Sequence, residues 1–231
     1  MDVLVRSPGA DRGAGALRPG AEDARLPAPP SRLAPKAPLY PCYTAEAARI
    51  LCRFGRVDAV DATRAYLLED THETGGWRCS FTRFGRGPET ECGSPGATLY
   101  ALDILRFYPE LRDGVTTVDR AVEALLGHWE VREPIGPCHH GIGSLFLQVE
   151  FPFIRYNLFY WVYILSFYTR AIADRRFREA LEALEERLDE DGRVVVERPH
   201  RALKGLRFCA GGEPSDVATS RYREIAANVS A

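Results

Sequence analysis

The stretch FPFIRYNLFYWVYILSFY, residues 151–168, decides the fold. Phe, Tyr, Trp and aliphatic side chains occupy every face of it, and a helix apolar all round must be buried all round. Its longest uncharged run, from Tyr156 to Thr169, is bracketed by Arg155 and Arg170 and is shorter than the roughly 20 residues a membrane-spanning helix needs. The stretch therefore predicts an interior core helix over Phe153–Arg170, with other helices wrapped around it.

Those neighbours are legible on both sides. Thr44 is placed to cap a helix through about Phe54, and Asp58 another through about Asp70. Ser94-Pro95 sets a capping hydroxyl before a first-turn proline, which predicts a helix to about Tyr108. From Thr117 to Trp129, the residues Val115, Val118, Val122, Leu125 and Trp129 form one apolar stripe. After a long loop, Glu130 to Glu150, and the aromatic helix comes a charged helix from Asp174 to Leu188, with Phe177, Leu181, Leu184 and Leu188 on one side. A last helix, Ser215 to Val229, repeats the pattern with Ala218, Tyr222, Ile225 and Val229, and Arg193 to Glu197 is the one candidate strand.

Leu67, Leu125 and Leu184 take the same place in three amphipathic helices, at spacings of 58 and 59 residues. Glycine follows eight residues later in two of them, at Gly75 and Gly192. Such an interval is the mark of stacked helical pairs, an inner buried helix against an outer one. The inner helices are expected at Thr44–Phe54, Ser94–Tyr108, Phe153–Arg170 and Ser215–Val229. The fold class is thus all-α, a partial α/α toroid of about three and a half helical pairs over residues 41–231, open or closed by oligomerising. Residues 1–40, rich in Pro, Gly and Arg without periodicity, are expected to form a disordered tail.

At 231 residues and 45% hydrophobic, the chain is long enough for a substantial core. The 30 basic and 32 acidic residues leave no positive excess, which argues against a nucleic-acid backbone or an anionic membrane as partner. Six scattered cysteines in a chain too large to need staples, with no apolar leader before them, are expected to be reduced thiols in the cytoplasm.

Leu67-Leu68 through Gly75-Gly76-Trp77, followed by Arg78-Cys79, resembles the repeat of the prenyltransferase and squalene-cyclase superfamily, which ends a helix with a glutamine and a Gly-x-Trp turn; Asp70 or Thr71 stands at the glutamine position. The segment from Pro41 to Val229 is also similar to a bacterial prenyltransferase-like group, through Phe84-Gly85-Arg86-Gly87-Pro88-Glu89-Thr90-Glu91, Gly136-Pro137-Cys138-His139, Phe151 to Tyr160, and Pro214-Ser215. The resemblance implies an α/α toroid with an isoprenoid-sized cavity. The Asp-x-Asp-Asp acid of class II cyclases and the Asp-Asp-x-x-Asp magnesium cluster of class I enzymes are both missing from the sequence; Asp189-Glu190-Asp191-Gly192 reads as a helix-ending turn.

Candidate binding groups remain. Tyr156, Tyr160 and Tyr163 share one face of the aromatic helix with Asn157 alongside, a surface that suits cations or an apolar, isoprenoid ligand, and equally a packed core. Arg83 and Arg86, beside glycines and ahead of the Ser94 helix, suit an anionic head group. Asp103, among Leu99, Leu102, Ile104 and Leu105, is a candidate proton donor if burial raises its pKa, or an ion-pair partner of Arg106 or Arg155. His139 is the other acid/base candidate. Cys138-His139-His140, with Cys79, Cys92 and Cys209, is the most metal-like string, but adjacent ligands cannot easily bind one ion and no Cys-x-x-Cys anchors a zinc site, so no metal or other cofactor is assigned. Two functions from different classes follow: a concave aromatic cavity for an apolar ligand, with catalysis open, or a non-catalytic module that docks another protein on the concave face of its open helical arc, with the proline-rich tail as tether; a homo-oligomer is a further candidate partner.

Overall fold

The computed structural model describes residues 41–79 and 91–231; the expected tail and the candidate pair Arg83 and Arg86 lie outside them. The described residues are helical and contain no strand: α1 (Pro41–Arg53), α2 (Asp61–Glu69), α3 (Pro95–Leu105), α4 (Thr116–Val131), the single turns α5 (Ser144–Leu147) and α7 (Thr169–Ile172), α6 (Leu158–Leu165), α8 (Arg175–Glu185) and α9 (Asp216–Ser230). The expected strand at 193–197 supplies only isolated bridges, Leu188 with Val194 and Val195 with Pro214. No described helix is long and apolar enough to cross a membrane.

The helix α6 is shorter than the periodicity predicts. Asn157 stops it upstream, because its extended backbone and side-chain oxygen, accepting from the Tyr160 amide at 2.9 Å, make it a cap. Downstream the bonds tighten, Phe167 N to Ile164 O and Tyr168 N to Leu165 O, and the helix ends. Within Leu158–Leu165 every side chain is buried, as the sequence requires of the interior helix.

Contacts link α1 to α3, α3 to α6 and α6 to α9, the four helices expected as the inner row, while α2 packs against α1 and α3, α4 against α3 and α8, and α8 against α4 and α6. The apolar stripes face this row. Leu67, Leu125 and Leu184 are all buried, as are Val118, Val122 and Trp129. Asp174 and Ser215 cap α8 and α9 by accepting from the Arg176 and Ala218 amides. Ser94 does not behave as expected: it precedes Pro95 in α3, but its hydroxyl is buried without a partner and caps nothing.

The internal repeat extends to individual hydrogen bonds. After α2, His72 N donates to Gly76 O at 2.8 Å and Gly75 N to His72 O at 3.0 Å; after α8, Asp189 N donates to Arg193 O at 2.9 Å and Gly192 N to Asp189 O at 2.9 Å. Gly75 and Gly192 take positive φ, at 93° and 69°, which glycine adopts without Cβ strain. The residue that leaves each turn then docks on the next inner helix in the same way. Trp77 O accepts from Ser94 N at 2.8 Å, and Val194 O from Ser215 N at 2.9 Å. Trp77 N donates to Thr98 Oγ1 at 3.2 Å, and Val194 N to Thr219 Oγ1 at 3.0 Å. After α4 the unit is replaced: Arg132 ends the helix in the left-handed region and a bridge joins Ile135 to His140.

The two end members of the inner row depart from the prediction of full burial. On α1, Ala45, Ala48, Arg49 and Cys52 are buried while the opposite side, Ala47, Ile50, Leu51 and Phe54 just beyond the helix, is exposed. On α9, Ala218 and Ile225 are buried, Tyr222 is half-buried and Val229 is exposed.

Candidate functional site

The inner row converges on Asp103, whose side chain is fully buried in α3. An isolated carboxylate there would be very costly, and the fold surrounds it with donors. One oxygen accepts from Arg106 Nε at 2.7 Å; the other accepts from the Tyr160 hydroxyl at 2.8 Å and from Arg53 at 3.2 Å, with Arg49 at 3.6 Å. Arg49 also donates to the Tyr160 hydroxyl oxygen at 2.9 Å and to Phe153 O at 3.0 Å, and pairs with Glu46 at 3.4 Å. The spacing of α1 explains this: Arg49 and Arg53 are one turn apart, on the side that carries Ala45, Ala48 and Cys52 against α3.

Aromatic faces complete the enclosure. The Arg49 guanidinium lies 5.4 Å from the Tyr100 ring centre and 5.6 Å from that of Tyr160; Arg106 lies 4.5 Å from Phe167 and 5.2 Å from Tyr163. Tyr163 donates its hydroxyl to Glu224 at 2.6 Å, which adds α9 to the network. Burial alone would push the Asp103 carboxyl up, but Arg106 and Arg53 outweigh it and hold Asp103 below the usual carboxylate range. Burial, and then the Asp103 charge, push the Tyr160 phenol well up. At neutral pH the pair is therefore carboxylate and phenol, with no proton held for donation by Asp103. The expected ion pair with Arg106 forms; Arg155 instead meets Glu150 at 3.3 Å.

The other candidates do not join this cluster. Asn157 is occupied as the cap of α6, its amide donating to Arg155 O at 2.8 Å. Tyr156 points to a second group, where His128 Nδ1 and the Tyr156 hydroxyl are 2.9 Å apart and His128 Nε2 lies 3.0 Å from Glu133 O. The His140 ring packs 5.1 Å from that of Tyr156, and against Gly96, where an added Cβ would come within 2.5 Å of its Nε2. Burial, followed by the nearby His128, lowers His140 to about 4; burial also lowers His128. His139 is exposed, in a left-handed turn with φ of 49°. The chemistry-bearing histidine of the Cys138-His139-His140 string is thus His140, one position on.

Among the described residues no group of three or more His, Cys, Asp or Glu side chains is placed to hold a metal ion. Arg49 and Arg53 escaped the sequence reading, although arginines four apart on a helix side otherwise made of Ala and Cys are the signal of a buried charge awaiting a partner. Tyr160 and Tyr163 are 0% and 1% exposed, so their rings present no surface to a ligand in this conformation. The row's unpaired chemistry lies on the opposite side of α1, where Ile50, Leu51 and Phe54 are 50%, 42% and 81% exposed. Comparison with protein-family models, curated proteins and solved structures finds no match to the chain.

Proposed function

We propose that the chain is a helical-repeat module of the prenyltransferase-like α/α type that works by assembly rather than by catalysis, pairing α1 with α1 of a second copy. The repeated turn, with its identical docking bonds after α2 and α8, supports the architecture, a partial toroid with an inner row and an outer row. The observation that carries the function is the bare stripe Ala47, Ile50, Leu51 and Phe54, at i, i+3, i+4 and i+7 on the side of α1 turned away from α3. Apolar residues at that spacing form the ridge that packs against another helix. A two-fold axis supplies the matching ridge, because the same surface then serves on both copies. Asp103, Tyr160 and Tyr163, which a catalytic reading would need, are engaged within the core.

Native mass spectrometry of the purified full chain tests this. The expected spectrum is a two-subunit mass, reduced to one subunit by Leu51→Glu without loss of helicity. A single-subunit mass at tens of micromolar overturns it. A larger cleft of about 440 Å³ is lined by Asp119, Arg120, Glu123 and Arg170, charges that do not suit an apolar ligand, so the cavity reading rests on an apolar-lined cleft of about 210 Å³ beside Gly75, Leu125, His128 and Ile135. That volume falls below the roughly 300–1,000 Å³ usual for small-molecule sites. An isoprenoid retained in the same spectrum would favour the cavity over the assembly.

A further inference from the structure

The fold brings together two thiols that stand 59 positions apart: Cys138 donates to Cys79 Sγ at 3.6 Å. Each sits on backbone anchored by other bonds. Cys79 follows Trp77, whose indole donates to Leu67 O at 2.8 Å and whose carbonyl accepts from Ser94 N at 2.8 Å. Cys138 lies within the turn closed by the reciprocal Ile135 and His140 bonds, each of 3.0 Å. Cys138 is exposed and Cys79 is buried, so solvent reaches one sulfur of the pair and the protein encloses the other.

We infer that Cys79 and Cys138 are an oxidation site, a thiol pair that a hydroperoxide converts into a disulfide. A disulfide needs its sulfurs about 2.05 Å apart, so closing the bond asks for a movement of about 1.5 Å, within reach of side-chain rotation. The Cys138 thiolate attacks one peroxide oxygen; an S–O bond forms, the O–O bond breaks, and the departing oxygen takes a proton as water or alcohol. Cys138 is then a sulfenic acid. The Cys79 thiolate attacks Cys138 Sγ; the S–S bond forms, the S–O bond breaks, and hydroxide leaves to be protonated to water. Two thiols lose two electrons and the peroxide gains two.

Two other described thiols, Cys52 and Cys209, are less suited to the reaction. Cys52 is buried and pushed up by that burial, and Cys209 is buried and donates to Leu203 O at 2.8 Å. The cross-link has a definite mechanical effect. Cys79 continues from the Gly75 wall of the 210 Å³ cleft and Cys138 from its Ile135 wall, so the disulfide fastens one wall to the other.

The test uses the full chain, reduced and desalted, then exposed to an equimolar dose of hydrogen peroxide, alkylated, digested without reductant and mapped by mass spectrometry. The expected result is a fall from six reactive cysteines to four. A single peptide pair should join Cys79 to Cys138, be lost on reduction, and be missing in Cys138→Ser. Amide exchange over residues 131–140 slows several-fold in the oxidised form. Cys138 driven to the sulfinic acid while Cys79 stays alkylated, a disulfide between another pair, or six alkylated cysteines after excess peroxide would each overturn the assignment. The mapping needs only the unsubstituted protein, so a variant that folds poorly does not remove the test.

Discussion

Asp103 is legible in place, and of the two chemistries its sequence setting offers, proton donor or ion-pair partner of Arg106, the structure shows the ion pair. A carboxylate among leucines on a helix predicts burial, and the side chain is fully buried. Burial pushes its pKa up, and the opposite direction is set first by Arg106, three positions away, and then by Arg53, fifty positions away, which reaches it only because α1 packs on α3. Removing the carboxylate leaves buried guanidinium groups uncompensated. Asp103→Ala should therefore lower stability by about 3–5 kcal/mol in urea unfolding. Tyr160→Phe, which loses the hydroxyl shared by Asp103 and Arg49, should cost about 1–3 kcal/mol. A loss under 0.5 kcal/mol in either variant would mean that the network is dispensable. His139 and His140 teach the neighbouring lesson: a motif locates a turn, while the turn's backbone decides which side chain goes in.

Elements were legible where local chemistry and burial agree. The stripes of α4 and α8 read correctly because one side of each helix meets the core and the other meets water. The ends of α6 were misread because its apolar run continues past the cap at Asn157, and hydrophobicity carries no signal for a helix stop. The exposed side of α1 differs from the expectation for a related reason: apolar residues predict an interior position, although among the described residues none covers Ile50, Leu51 or Phe54. The repeat makes a prediction of its own at this scale. Thr98 and Thr219 receive the same bond from Trp77 N and Val194 N, so Thr98→Val and Thr219→Val should each destabilise by a similar amount, about 1–2 kcal/mol. Gly76→Ala should do more damage, since an added Cβ would lie 2.2 Å from Thr98 Oγ1 at a φ of 74°. Thermal melts of the three variants decide whether the two turns are equivalent.

For the whole molecule, the all-α class and the single core were readable because the 151–168 stretch demands wrapping on every side. The meeting point of the inner row was not, since it depends on which helix sides face one another. Buried His128 and half-buried His140 give the molecule a pH dependence. His140 is lowered from 6.5 to about 4, so the unfolded chain binds its proton first as pH falls. Stability contributed by the neutral ring is complete above pH 6.5 and is lost as pH falls toward 4, by on the order of 3 kcal/mol. His128, lowered in the same direction, adds to the slope. Urea midpoints that stay flat between pH 6.5 and 4.5, or a His140→Gln variant as steep as the parent, would contradict this. Assembly through the exposed side of α1 is decided by the native mass of the full chain beside that of Leu51→Glu. The parent should carry two subunits and the variant one, both without a retained small molecule; a one-subunit parent, or a parent carrying an isoprenoid, would overturn assembly through α1.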